Sequence, residues 1–137
     1  MSGQPDLQRL IATISPALLP DVHVFTTVPD GVAPGQLRPF ATVREEEGLT
    51  LVLTRQEADR AGLRYDYLAA RITLRVQSDL AAVGLTAAVS SALAAAGISC
   101  NVIAGHHHDH LLVPHDRALD ALRRLEQLAG DNASADA

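Results

Sequence analysis

Hydrophobic and polar positions alternate along residues 72–77, where Ile72, Leu74 and Val76 interleave with Thr73, Arg75 and Gln77. A period of two predicts a strand with one buried face. The period then lengthens. Leu85, Ala88, Val89, Ala92, Leu93 and Ala96 form a continuous helical stripe, and Gly97 is placed as its C-terminal cap. Residues 98–104 read as the next strand, Gly105 opens a turn, and residues 110–113 return. Pro114 breaks that strand and Asp116 can cap a last helix. Ala118, Ala121, Leu122, Leu125 and Leu128 give this helix one apolar face before Gly130 ends it. Residues 131–137 are small and polar and are expected to be disordered.

The first half is patterned less cleanly. Leu7, Leu10, Ile11 and Ile14 fall at i, i+3, i+4 and i+7, the stripe of a short amphipathic helix that Pro16 ends. Residues 22–28 are β-branched and predict a strand, and the Pro- and Gly-rich residues 29–39 a loop. Residues 40–44 and 49–54 predict two more strands, joined by a turn at Glu45, Glu46, Glu47 and Gly48. Thr54 and Glu57 stand at capping-box spacing, so a helix should start at Arg55 and stop at Gly62.

From Ile72 onward the order is therefore β-α-β-β-α. Short strands joined by helices and one hairpin point to an α+β, ferredoxin-like plan: an antiparallel sheet with helices packed on one face. That plan needs a fourth strand after the last helix. Residues 49–53 (LTLVL) are the obvious donor, which would intertwine the two halves.

Composition narrows the function. A chain of 137 residues with 47% hydrophobic positions fits one compact domain, or two half-size units sharing a sheet. The formal net charge of −5 argues against nucleic acid and anionic membranes, which both select clustered positive charge. All 11 basic residues are Arg; with no Lys, Schiff-base chemistry and a Walker-type phosphate lysine are excluded. Cys100 is the single cysteine, so no intramolecular disulfide forms. The opening MSGQPDLQRL lacks the pattern of a signal peptide, and no apolar run is long enough to span a bilayer. A soluble cytoplasmic protein is expected.

Candidate chemistry is sparse. His106, His107, His108 and His110 crowd the predicted turn. On one regular strand, His106, His108 and His110 would share a face and could hold zinc, with Asp109 or His115 as a further ligand. Gly105 places the turn there instead, which leaves only His108 and His110 on one face, as alternative metal ligands. The competing reading is a polar hairpin tip. Glu45, Glu46 and Glu47 point in alternating directions and read as a solvated turn. Cys100 lacks a neighbouring base and reads as packing. No serine sits in a nucleophile elbow, and the VGLT around Gly84 is neither a dinucleotide nor a phosphate-loop fingerprint.

Two stretches carry a family likeness. FATVREEEGLTLVLTRQEADRAGL, followed by ITLRVQSDLAAVGLTAAVSSALAAAGISCNVIAGHHHDHLLVP, resembles ACT domains. It is most similar to small stand-alone bacterial tandem-ACT proteins, and also to the ACT pairs of aspartate kinases and cytosolic arginine sensors. The likeness runs from Phe40 to about Leu128, and its specific wording lies in residues 84–113. It implies a βαββαβ fold in tandem or intertwined units: an N-terminal ACT-like half over residues 1–66, a C-terminal ACT domain over 67–130 and a tail.

The resemblance also implies a non-enzymatic regulatory module without a cofactor. Such a module binds a small molecule, typically an amino acid, where ACT units meet, and forms homodimers or higher homo-oligomers. The family's contacts would fall on the loop Ser78, Asp79 and Leu80, on Gly84, Leu85 and Thr86 at the helix start, and on Asn101, Val102 and Ile103 in a strand. Helix N-terminal N–H groups suit a ligand carboxylate, and Asp79 suits an α-ammonium group. Such modules usually regulate a fused catalytic or DNA-binding domain, and none is expected within these 137 residues. A metal-binding protein built on the His hairpin and an oligomerisation module without ligand are the alternatives.

Overall fold

Three helices and four strand segments bury one apolar interior from both ends of the chain. The structure, a computed structural model, describes residues 3–29, 35–76 and 83–135. In chain order the elements are α1 (Gly3–Ala12), β1 (Pro16–Val28), β2 (Ala41–Glu45), β3 (Gly48–Thr54) and α2 (Arg55–Arg60). There follow β4 (Ala69–Leu74), α3 (Leu85–Ala95), β5 (Asn101–Ala104), β6 (Asp109–Pro114), a 3-10 turn (His115–Arg117) and α4 (Ala118–Ala135). They form two compact units, Met1–Leu19 with Ala70–Ala137, and Pro20–Ala69.

In the first unit the strand order is the start of β1, then β4, β6 and β5. This is the ferredoxin-like arrangement, with the fourth strand taken from the front of the chain. The expected donor, residues 49–53, lies instead in β3 of the second unit. Pro16 explains the miss: it ends a helix, but the first residue of a strand needs no N–H, so the same proline can open β1. Leu18 then packs on the first unit's core, and Arg75 N donates to Ser15 O at 3.2 Å.

The alternation read at residues 72–76 sets this core. Ala70, Ile72, Leu74 and Val76 meet Leu111 and Val113 of β6 on one face. Leu85, Val89 and Leu93 of α3, Ile11 of α1 with Ile14 just beyond it, and Ala121 and Leu125 of α4 cover that face. The C-terminus of α3 is closed by Gly97 N donating to Ala94 O and Ile98 N to Leu93 O. Those bonds tie residues 97–98 to the helix end, so β5 starts at Asn101, three residues later than the apolar run suggests. Arg117 Nη2 donates to Ala96 O, placing positive charge at the C-terminal end of α3, where the helix dipole favours it.

α4 does not stop at Gly130; it continues to Ala135, so residues 131–135 are helical where disorder was expected. Glycine inside a helix costs only about 1 kcal/mol. Leu128 and Ala129 pack against the core, and Asn132 Nδ2 donates to Leu128 O at 2.9 Å.

The second unit has the order β2-β3-β1, antiparallel throughout, with His23↔Thr54 to Val28↔Leu49 and Ala41↔Val52 to Glu45↔Gly48 in register. Glu46 and Glu47 form the two-residue turn. Gly48, at φ +144°, is confined to glycine by space as well, because a Cβ there would lie 2.5 Å from Val28 O. Val24, Leu51, Leu53 and Ala58 make the core. The N-cap forms at Thr54 as read: Thr54 Oγ1 accepts from Glu57 N at 3.2 Å, while Glu57 Oε2 accepts from Arg38 N at 2.8 Å.

Leu93 is fully buried and Val83 is 89% exposed. Leu93→Ala should therefore destabilise the protein by about 2–5 kcal/mol in urea unfolding, and Val83→Ala by less than about 0.5 kcal/mol.

Candidate ligand site

The residues singled out by family likeness lie in the first unit, on one helix start and one strand. Ser78, Asp79 and Leu80 fall outside the described residues. Gly84 is the N-cap of α3 at φ +102°, a left-handed conformation, and it lies against α1: a Cβ would stand 2.8 Å from Leu7 Cδ2. A glycine brings no side chain to cap the helix, so the first-turn N–H groups of α3 get none from it. Leu85 is 3% exposed and its side chain belongs to the core, so only its backbone can meet a ligand. Thr86 is exposed.

Asn101, Val102 and Ile103 lie on β5, the edge strand of the order. Val102 turns toward the core, whereas Asn101 and Ile103 leave on the other face; Asn101 is exposed and Ile103 half-buried. Among the described residues of this set, the side chains open to a ligand are those of Thr86, Asn101 and Ile103.

The histidines separate at Gly105, but further than expected: His108, read as sharing a strand face with His110, lies in the turn with His106 and His107, because β6 starts only at Asp109. Ala104 pairs with Asp109, and Gly105 N donates to His108 O at 2.9 Å, closing a turn over residues 105–108. His106, His107 and His108 are exposed on it, with the first two rings stacked at 4.8 Å. Among the described residues, no three His, Cys, Asp or Glu side chains gather as a metal ion would require. His110 stands apart on β6, half-buried, its Nδ1 3.1 Å from Thr73 Oγ1. Burial, then the Arg71 cation and His108, hold its pKa below the ordinary imidazole value, with Asp109 opposing.

This Arg71, Thr73 and His110 grouping was missed in the sequence, although the pattern contains it. Arg71 and Thr73 alternate with the core positions of β4, and His110 precedes the core residue Leu111. What the pattern withholds is that β4 and β6 are neighbours.

In the second unit, Gln36, Leu37, Glu57, Arg60 and Ala61 line an open cleft of ≈ 530 Å³. Glu45, Glu46 and Glu47 are exposed, and Thr50 Oγ1 donates to Glu45 Oε1. Cys100 packs against the first unit's core, and burial pushes its thiol up to about 11.

Family models of the ACT domain match residues 2–70 and 70–127. A Vibrio cholerae protein of unknown function, described as a possible transport protein, is 47% identical, with a TM-score of 0.84 over 93% of this chain and 99% of that one. The regulatory subunit of aspartate kinase from Thermus flavus is 14% identical with a TM-score of 0.63, covering 84% of this chain and 97% of that one. An Agrobacterium tumefaciens protein, 20% identical, has a TM-score of 0.67 and covers 85% of this chain and 89% of its own. A search of curated protein sequences returned no match. Fold and matches together define a tandem, ferredoxin-like module of the regulatory type. The chain belongs to the ACT domain family.

Two outcomes follow from the titrating groups. The folded state disfavours His110⁺, so the unfolded chain binds more protons between the lowered pKa and the ordinary value near 6.5. Stability should rise with pH through that window and fall as pH drops through it. His110→Gln should flatten this part of a melting-temperature profile measured from mildly acidic to neutral pH. A thiol near 11 rather than 9.0 holds about 100-fold less thiolate at mildly alkaline pH. Cys100 should accordingly react with iodoacetamide far more slowly in the native protein than in denaturant, as followed by mass spectrometry.

Proposed function

We propose that this protein is a non-enzymatic sensor of a small metabolite, an amino acid, acting as a cytoplasmic homodimer or higher homo-oligomer. The observation that carries the reading is the pair of ACT-domain matches that together span residues 2–127. Among the described residues, no helix is long and apolar enough to cross a membrane.

The ligand would lie where ACT units of neighbouring chains meet. Its carboxylate would take the N–H groups at the start of α3, from Gly84 to Thr86, and Asp79 would hold its ammonium group, with Ser78 and Leu80 completing the loop. Asn101, Val102 and Ile103 would come from the edge strand β5 of the adjoining unit, since an edge strand offers unpaired backbone groups to a second copy. Ligand held between units would favour one arrangement over another, and a tenfold preference amounts to about 1.4 kcal/mol.

A thermal-shift screen of the twenty amino acids, with and without chelator, tests this. A ligand at 100 times its Kd should add about 2.7 kcal/mol of stability. One or a few amino acids should raise the melting temperature, and Asp79→Ala should abolish the rise. A response to no amino acid would leave an oligomerisation module, and a response to zinc or nickel alone would move the function to the His hairpin.

A further inference from the structure

The cleft of the second unit is not used by the proposed amino-acid site, and its walls come from two pieces of chain. Among the described residues of this unit, one six-residue helix, α2, packs on a sheet of three strands. The rest of that cover is irregular chain. Leu37 from the loop before β2, and Leu63, Tyr65 and Leu68 from the segment after α2, pack on the core of Val24, Leu51, Leu53 and Ala58. Where loop and helix meet, Gln36 and Leu37 face Glu57, Arg60 and Ala61 across ≈ 530 Å³ of open space. That volume is in the range of small-molecule sites.

A single carboxylate fixes the shape of this cleft. Glu57 Oε2 accepts from Arg38 N at 2.8 Å, which ties the loop to the helix, and Thr54 Oγ1 lies 3.4 Å from Glu57 Oε1. Glu57, Arg60 and Ala61 stand at i, i+3 and i+4, so they share one side of α2. The end of the helix that carries them is closed by Ala61 N donating to Glu57 O at 3.1 Å and Leu63 N to Ala58 O at 2.9 Å.

The two acids of α2 already have partners. Tyr65 Oη donates to Asp59 Oδ1 at 2.6 Å, and Arg55 Nε lies 3.9 Å from Asp59 Oδ2. Glu57 serves the loop and Thr54. Arg60 is exposed, and among the described residues no carboxylate lies within ion-pair distance of it. The cleft thus offers a guanidinium fork, the neutral Gln36 amide, and the aliphatic Leu37 and Ala61. A planar fork matches the two oxygens of a carboxylate, and the amide can donate a further hydrogen bond. With Glu57 and Arg60 in one wall the formal charge of the lining sums to zero, so a bare anion gains little. An anion that also brings apolar surface to Leu37 and Ala61 gains more.

We propose that this cleft binds a small amphipathic carboxylic acid, its carboxylate on Arg60 and Gln36 and its hydrocarbon body on Leu37 and Ala61. No residue is shared with the amino-acid site proposed above, so either reading can fail without the other.

Solution NMR of the full chain tests it. The backbone amides of Leu37 and Ala61 are followed while sodium acetate, butyrate and hexanoate are added separately at constant pH and ionic strength. The expected result is a saturating shift at both amides with hexanoate. Affinity should rise from acetate to hexanoate by up to about fourfold per methylene, the ceiling for a fully buried CH₂. Hexylamine, which has the same body and the opposite charge, and inorganic phosphate, which has charge without the body, should give no saturation there.

Arg60→Gln should weaken hexanoate binding about fivefold, near the upper end for an exposed ion pair. Ala61→Leu, which fills the cleft and keeps every charge, should weaken it as well. Both positions are exposed, so both variants are expected to fold. Shifts linear in hexanoate, an affinity that does not rise from acetate to hexanoate, saturation by hexylamine or phosphate, or unchanged hexanoate affinity in either variant would overturn the proposal.

Discussion

One apolar face, formed by Ala70, Ile72 and Leu74 of β4 with Leu111 and Val113 of β6, must be kept from water, and the rest of the first unit follows from how that is done. At roughly 25 cal/mol per Å² of apolar surface, the burial of Ile72, Leu74 and Leu111 is the dominant favourable term available. No single helix, about 10–12 Å across, covers a sheet of four strands spaced about 4.8 Å apart. Three share the work, and two of them, α1 and α4, come from opposite ends of the chain and pack on each other. Closing this core therefore fixes where α3 begins. Gly84 sits against Leu7, so the helix start proposed to meet a ligand is held by packing against α1.

Local rules were readable wherever a short-range pattern decided the outcome. The alternation at Ile72, Leu74 and Val76, the stripe through Leu85, Val89 and Leu93, and the Thr54–Glu57 cap each rest on neighbours within about one turn or two strand residues. The failures share a different cause. Pro16 looks the same as a helix terminator and as a strand opener, and only pairing with a distant partner tells them apart. Gly130 looks like a stop, yet the packing of Leu128 and Ala129 outweighs its modest cost. The fourth strand was sought in residues 49–53 because they are the more β-prone segment, whereas the strand in use begins with proline.

The candidate sites divide along the same line. Gly105 was enough to break the histidine run, because a turn residue acts on its immediate neighbours. The Arg71, Thr73 and His110 cluster needed the adjacency of β4 and β6, which no local pattern encodes. Leu85 shows the limit of carrying over a motif by position: the residue matches the family's wording, but its side chain serves the core, and any contact with a ligand falls to its backbone. Of the nine residues taken from the family likeness, six lie among the described residues, and they divide by whether the strand or helix face they occupy looks inward or outward.

The division of the chain also bears on how it is made. Residues 20–69 form a unit whose strands and short helix are all in hand once Ala69 has been synthesised. The other unit opens with α1 and closes with α4, separated by more than a hundred residues of sequence. During synthesis the apolar stripe of Leu7, Leu10, Ile11 and Ile14 emerges long before the residues of α4 that cover it. Contacts of such long separation are slow to close and leave apolar surface exposed meanwhile. Helix α1 thus waits for its partner α4 through the synthesis of more than a hundred residues, and its apolar stripe needs protection during that interval.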